Sequence, residues 1–289
     1  DDTAHQARTG MSESLTSSTV HGIKWSYAST LVSAVLQIGV TALLARLLTP
    51  SAFGLVAMAN VLLFYGQQFA VMGASQAIIQ KPDLSARDIH TAFTSSLLVG
   101  AAFCALFVLL APLVGFLFPG TPGVVTVTRV MSLSFLIGGL RITTTGLLSR
   151  RFAFRALALT EIGTYVAGNA LVGVTMALLG FGVWSLVAGT LCAAALAAAA
   201  YALMCRHEIG IGLDWHSFKA IYSFGGRVSL IAFGQAVAGT LDTVWSGHFL
   251  GAAATGVYTR ATNLATAPLN SLVVGVSRVL MSGYSRLQH

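Results

Sequence analysis

Beyond residue 22 the chain is written in long apolar runs separated by very short polar interruptions. Eight such runs stand out, at 23–48, 52–79, 91–118, 124–148, 156–180, 182–205, 217–246 and 254–282. A helix rises about 1.5 Å per residue, so about 20 apolar residues cross the hydrocarbon core of a bilayer. Each run is therefore predicted to be a transmembrane helix, and those longer than the minimum are predicted to tilt or project from the lipid. The interruptions include Thr49-Pro50-Ser51, Pro119-Gly120-Thr121-Pro122-Gly123 and Gly180-Phe181-Gly182. Proline and glycine there stop one helix and allow the reversal into the next. Such short links force neighbouring spans into antiparallel hairpins and leave no room for a separate catalytic domain. The expected fold class is all-α, a polytopic bundle of about eight transmembrane helices.

Composition supports the same solvent. Charged residues make up 9% of the chain and hydrophobic ones 55%, with a mean hydropathy of +0.79. A soluble domain carries about 25% charged residues because water must solvate its surface. The net charge of +7 would suggest nucleic acid in a soluble chain, but here the basic residues sit in the gaps between apolar runs. Placing the N-terminus in the cytoplasm puts Lys24, Lys81, Arg87, Arg150, Arg151, Arg155, Arg206, Lys219 and Arg286 on the inner side and little beyond Arg46 on the outer side. That asymmetry orients a membrane protein, so no nucleic-acid partner is expected. The polar, Ser/Thr-rich residues 1–22 read as a disordered cytoplasmic tail. Cys104, Cys192 and Cys205 lie in or at the end of apolar runs and read as small buried hydrophobes rather than as a disulfide or metal site. No cofactor is expected.

A shift of 202 positions produces a weak internal match. Ala34 meets Ala236, Thr41 meets Thr243, Leu48 meets Leu250, Ala52 meets Ala254, Gly54 meets Gly256 and Gly73 meets Gly275. On this reading residues 23–205 form a six-helix N-terminal lobe and 206–216 a cytoplasmic linker. Residues 217–289 begin a second lobe of which two helices are present, in parallel repeat to the first. The segment Asp214–Lys219 mixes aromatic and polar residues and is expected to open as a short interfacial helix.

Ionisable side chains at membrane depth are costly and are therefore paired or functional. The acids are Glu161 and Asp242; the bases are Arg129, Arg141, Arg227, Arg260 and Arg278. Arginines facing a wet cavity suit an anionic ligand such as pyrophosphate, which a guanidinium grips with two parallel bonds. Against that stand snorkelling of Arg129, Arg141 and Arg278 to the interface and a plain ion pair between Arg260 and Asp242. Glu161 and Asp242 suit a coupling or gating role, or salt bridges that hold helices together. Small polar residues cluster in the first two runs (Gln37, Asn60, Gln67, Gln68, Ser75 and Gln76 among them), with Gln235 and Asn263 in the later pair. A shared cavity or helix contacts must receive them. Trp25, Tyr65, Trp184 and Tyr258 are candidates for stacking on sugar rings, with interfacial anchoring the competing role for the tryptophans. The run Ala193 to Ala200 permits close helix packing. His248, at an outer turn, reads as exposed rather than catalytic. The chain contains no phosphate-binding Gly loop, Cys/His metal spacing or nucleophile elbow, and no enzymatic activity is expected.

Several stretches resemble exporters of the Wzx-like lipopolysaccharide and exopolysaccharide group. They are Gly22–Ser26 followed by Ala45–Ala59, then Gly146–Arg155 leading to Glu161, then Leu241-Asp242 with Phe249-Leu250-Gly251 and Gly256-Val257-Tyr258, and finally Tyr284–Gln288. The resemblance implies the multidrug/oligosaccharidyl-lipid/polysaccharide exporter fold, two lobes of six helices around a central cavity. It implies a bacterial inner-membrane flippase that moves undecaprenyl-pyrophosphate-linked oligosaccharide between leaflets by alternating access. Its partners would be the lipid-linked oligosaccharide, membrane lipids and polysaccharide polymerase machinery. The sequence departs from that pattern in having eight spans, and in placing His248 where an arginine is frequent. Arg141, Arg227 and Arg260 are then the expected ligands of the pyrophosphate or acidic sugars, with Glu161 and Asp242 for coupling or gating. Two other activities fit a membrane bundle. A multidrug or cation antiporter would call for an acidic cavity, and a glycan polymerase or ligase for a substantial outer loop.

Overall fold

A computed structural model describes residues 31–70, 78, 84–151, 153–215, 218–219 and 239–266. Among these the chain is helical, with no β-strand. The helices are α1 (Leu31–Leu47), α2 (Pro50–Ala70), α3 (Ala86–Leu117), α4 (Val124–Arg150), α5 (Phe154–Leu178), α6 (Val183–Met204), α7 (239–250) and α8 (251–266). Helices α3 to α6 are each long and apolar enough to cross a membrane. This is an all-α membrane protein.

Where the described residues include a helix end, the apolar runs located it to within a few residues, with one larger departure; one end of each of the runs 23–48, 52–79, 217–246 and 254–282 lies outside the described residues. Helix α3 starts at Ala86, where a run beginning at 91 was expected. Ser85 caps it, accepting the Asp88 N–H at 3.2 Å while Asp88 Oδ2 accepts the Ser85 N–H at 3.0 Å. This reciprocal capping box adds a first turn that hydropathy alone does not see, because it is made of polar residues. At 32 residues the helix is about 48 Å long, against a hydrocarbon core of about 30 Å.

Reversals follow the glycine signals. Gly120 and Gly123 take φ of 76° and 93° between α3 and α4, a left-handed conformation that side chains with a Cβ resist. Gly251 (φ 77°) turns α7 back into α8. The bonds of Tyr258 to Asp242 and of Ser246 to Thr255 run across the resulting hairpin.

With lipid as the outer solvent, helix association relies on close packing of small residues rather than on apolar burial from water. Helices α3 and α4 cross where a Cβ on Gly100 would stand 2.6 Å from the Phe135 carbonyl oxygen. A Cβ on Gly168 of α5 would collide with Ala193, at the head of the alanine run in α6. Helices α2 and α8 cross even more closely. A side chain on Gly54 would strike the Ala252 backbone, and one on Gly256 the Pro50 carbonyl. An aromatic group of Phe103, Phe107 and Phe135 fills the centre between α3 and α4, with ring centroids 4.8 Å apart for Phe107 and Phe135. Cys205 is fully buried in the cluster around Tyr201, its thiol 3.9 Å from the Thr144 carbonyl oxygen; Cys104, Cys192 and Cys205 are all free thiols.

Helix α5 contains a wide turn, Val166–Gly173, with π-helical bonding. Such segments insert a residue into the helical register and recur at functional sites. It lies between Glu161 and the C-terminal end of α5, and apolar periodicity carries no sign of it.

Candidate functional site

Three neighbouring cavities lie among the described helices. The first, about 450 Å³, lies between α2, α7 and α8 and is lined by Phe53, Asn60, Gln67, Asp242, Tyr258 and Arg260, with others. A second, about 470 Å³, lies between α1, α5 and α8 and includes Gln37, Thr41, Tyr165, Arg260 and Asn263. The third, about 390 Å³, lies inside the bundle of α3, α4 and α6 and includes Gln67, Ser96, Ser134, Arg141, Thr145 and Thr190. Arg260 and Asn263 belong to both the first and the second, and Gln67 to both the first and the third. Each volume falls in the range of small-molecule sites, about 300–1,000 Å³.

Arg260 stands at the junction of two cavities. Its guanidinium carbon lies 3.8 Å from the centre of the Phe53 ring, and Nη1 is 3.4 Å from the Thr41 hydroxyl. Stacking on an aromatic face holds the cation while leaving its N–H edges for a ligand. No ion pair joins Arg260 to Asp242, although both line the first cavity. The expected pair is replaced by a local arrangement within the α7–α8 hairpin. Asp242 Oδ2 accepts the Tyr258 hydroxyl at 2.8 Å, and Oδ1 accepts the Thr243 N–H at 2.7 Å. Tyr258 thus orients a carboxylate at the cavity wall.

Arg141 behaves differently. It lies nine residues before the end of α4, about 14 Å along the axis, within an apolar span. Its guanidinium forms an ion pair with Glu161 of α5 and sits 5.6 Å from the centre of the Tyr201 ring. The Tyr201 hydroxyl donates to Glu161 at 2.9 Å. Three helices therefore meet at one charge-neutral cluster. The sequence supplied Arg141 and Glu161 but not their pairing, and it missed Tyr201, the polar end of an otherwise apolar alanine-rich helix. Phe53 and Thr41 were missed too, since an aromatic and a threonine in apolar helices carry no positional signal.

The small polar residues fall where a cavity demands them. Gln37, Asn60, Gln67 and Asn263 all line one or more of these cavities. Tyr65 is hydrogen-bonded to Thr240 across α2 and α7, which ties its hydroxyl to the protein. Arg129 is exposed near the start of α4. His248 is exposed and lies 2.7 Å from the Leu117 carbonyl oxygen at the end of α3. Arg227 falls outside the described residues, as do Trp25, Ser75, Gln76, Gln235 and Arg278. Among the described residues there is no His/Cys/Asp/Glu group that could hold a metal.

A polar, arginine-bearing cavity inside an apolar helical bundle narrows the comparison with known proteins. The profile of the family described as polysaccharide biosynthesis protein matches residues 43–289. The chain belongs to that family. Its curated relatives include the succinoglycan biosynthesis transport protein ExoT of Rhizobium meliloti (strain 1021), 27% identical over 272 residues, covering 92% of this chain and 54% of ExoT. The lipopolysaccharide biosynthesis protein WzxC of Escherichia coli (strain K12) is 24% identical over 281 residues, covering 95% of this chain and 56% of WzxC. The teichuronic acid biosynthesis protein TuaB of Bacillus subtilis (strain 168) is 24% identical over 268 residues, 92% of this chain and 55% of TuaB. The chain spans about half the length of these relatives. No solved structure matches it significantly. These relatives are named for succinoglycan, lipopolysaccharide and teichuronic acid biosynthesis, ExoT as a transport protein.

Proposed function

We propose that this chain forms the N-terminal lobe and the first hairpin of the second lobe of a transporter for lipid-linked oligosaccharide, working by alternating access in the bacterial inner membrane. Its N-terminus is cytoplasmic on this reading. Arg260 carries the proposal: an arginine at the junction of two cavities, stacked on Phe53, with no carboxylate partner among the described residues. An unneutralised guanidinium at membrane depth is costly unless an anion visits it. A pyrophosphate headgroup supplies that anion and accepts two parallel N–H bonds. Arg141 and Arg227 are the further ligands, and Glu161 and Asp242 serve coupling or gating.

Two lobes are supported by the reciprocal crossing of α2 and α8. The shift of 202 that relates Gly54 to Gly256 also relates Pro50 to Ala252. The two observed collisions, Gly54 on Ala252 and Gly256 on Pro50, are therefore copies of one contact. Such exchange of partners is the mark of a two-fold arrangement.

The test uses the intact transporter in detergent, with inorganic pyrophosphate as probe and surface polymer export as the cellular readout. Arg260→Gln removes a charge-assisted contact and should weaken pyrophosphate binding about tenfold or more and abolish export, with an unchanged elution profile. Arg260→Lys should restore part of the binding. Undiminished binding in Arg260→Gln would remove it from the site. Binding of cationic dyes in preference to pyrophosphate would favour the antiporter reading instead.

A further inference from the structure

The connector that leaves α6 carries apolar side chains that the proposed transport cycle does not use. Residues 209–214 lie outside the helices, bounded by the Ile209 N–H on the Cys205 carbonyl at 3.1 Å and by the Asp214 carbonyl, which accepts the Phe218 N–H at 2.9 Å as helix resumes at Trp215. This stretch is strapped flat against the inner turns of α3. The Gly212 N–H donates to the Thr94 hydroxyl at 3.0 Å and the Asp214 N–H to the Thr91 hydroxyl at 3.1 Å. A Cβ on Gly210 would stand 2.6 Å from His90 Nε2, and one on Gly212 would stand 3.2 Å from His90 Cβ. The strap thus presses its even-numbered backbone on the helix.

Ile209 packs on the cluster around Tyr201, and from Ile211 onward the odd-numbered side chains point away. Ile211 is 91% exposed, Leu213 58% and Trp215 73%. Period-two alternation is what an extended segment produces when one face is docked. Three large apolar groups in a row on the free face, extended by Phe218 stacked on Trp215 with centroids 5.3 Å apart, are not a water-facing surface.

Depth and charge identify what covers them. Thr91 and Thr94 lie five and eight residues into a helix some 18 Å longer than the hydrocarbon core, hence at about headgroup level if the excess projects on this side. The same end of the bundle presents Arg87, Arg206 and Lys219 as exposed side chains, alongside Arg150, Arg151 and Arg155. Its acids are partly consumed: Asp88 is buried in the α3 capping box and Glu208 is paired with Arg151. The opposite end offers Arg46 and Arg129 among the described residues. Aromatic and aliphatic side chains beside exposed bases are the pattern of a segment lying in the interface of an anionic leaflet.

We propose that residues 209–215 form an interfacial strap whose Ile211, Leu213 and Trp215 insert into the headgroup–acyl boundary of an anionic phospholipid leaflet, with Arg87, Arg206 and Lys219 on its phosphates. The strap ties the connector between the lobes to the bilayer at one fixed place on α3. This holds whatever the transporter carries.

The experiment reconstitutes the full chain, with Trp25, Trp184 and Trp245 replaced by Phe, into vesicles of phosphatidylethanolamine with and without phosphatidylglycerol. Trp215 emission is then quenched either by lipids brominated high on the acyl chain or by iodide in the water. Strong bromolipid quenching that increases with phosphatidylglycerol, and little iodide quenching, is expected. Ile211→Ser with Leu213→Ser should exchange bromolipid for iodide quenching without loss of helical circular dichroism. Iodide-dominated quenching in the parent, or shielding from both quenchers by another protein segment, would overturn the proposal, as would quenching indifferent to phosphatidylglycerol. Should the tryptophan replacements fail to fold, a spin label on Ile211→Cys, with the three native cysteines changed to Ala, reads the same depth from oxygen against nickel-chelate accessibility.

Discussion

Glu161 and Arg141 neutralise each other. The ion pair spans α4 and α5, with the Tyr201 hydroxyl as a second donor to the same carboxylate. On the proposed reading, in which Arg141 takes part in binding an anion, the carboxylate and a pyrophosphate compete for one arginine that already lines the third cavity. Glu161→Gln keeps an acceptor for Tyr201 but lacks the charge, so in the intact transporter it should bind pyrophosphate more tightly than the parent, by up to about tenfold. Titration calorimetry on parent and variant reads the difference, and unaltered affinity would remove Arg141 from the proposed site.

At the level of the elements, backbone proximity rather than side-chain bulk holds the helices. Gly54 and Gly256 allow α2 and α8 to touch through their main chains. Gly256→Val should force them apart at an estimated cost of about 1–3 kcal/mol, and should leave α3 to α6 intact because those cross elsewhere. Limited proteolysis of the α7–α8 hairpin would report the separation, with unchanged helicity in the remainder; unaltered protease resistance would show that the crossing is not required. These elements also show what a sequence can carry. Apolar run length and Pro/Gly punctuation located α1 to α8, because the bilayer sets a length and tight turns need particular residues. The first turn of α3 escaped, since Ser85 and Asp88 build it from polar groups. The π-helical turn of α5 escaped because no single residue type demands it. Arg141, Glu161, Asp242 and Arg260 were legible as candidates, for charge in an apolar run is conspicuous. Their partners were not, because Phe53, Thr41 and Tyr201 become informative only when helices distant in sequence are placed side by side.

Over the whole molecule, the proposed two-lobe reading makes the reciprocal contact a closed end. Pro50 and Ala252 each lie at a turn, one between α1 and α2 and the other between α7 and α8, so the backbone crossing lies at the end of the bundle opposite Arg150, Arg155 and Arg206. Further along the same pair of hairpins, Tyr65 is bonded to Thr240, while cavities lie between these helices and their neighbours. Rocking of the lobes as proposed would separate α2 from α7. Tyr65→Cys with Thr240→Cys, in a protein whose native cysteines are changed to Ala, places two thiols across that seam. A short bifunctional, reducible thiol reagent should then arrest export, and reduction should restore it. The same reagent on either single variant should leave export near its untreated level. A doubly bridged protein that still exports would mean that α2 and α7 travel together, and the lobes would have to be redrawn with the α7–α8 hairpin inside the first. The two outcomes differ because a bridge within one rigid body costs no motion, whereas a bridge between two bodies removes the motion on which access to the outer leaflet depends.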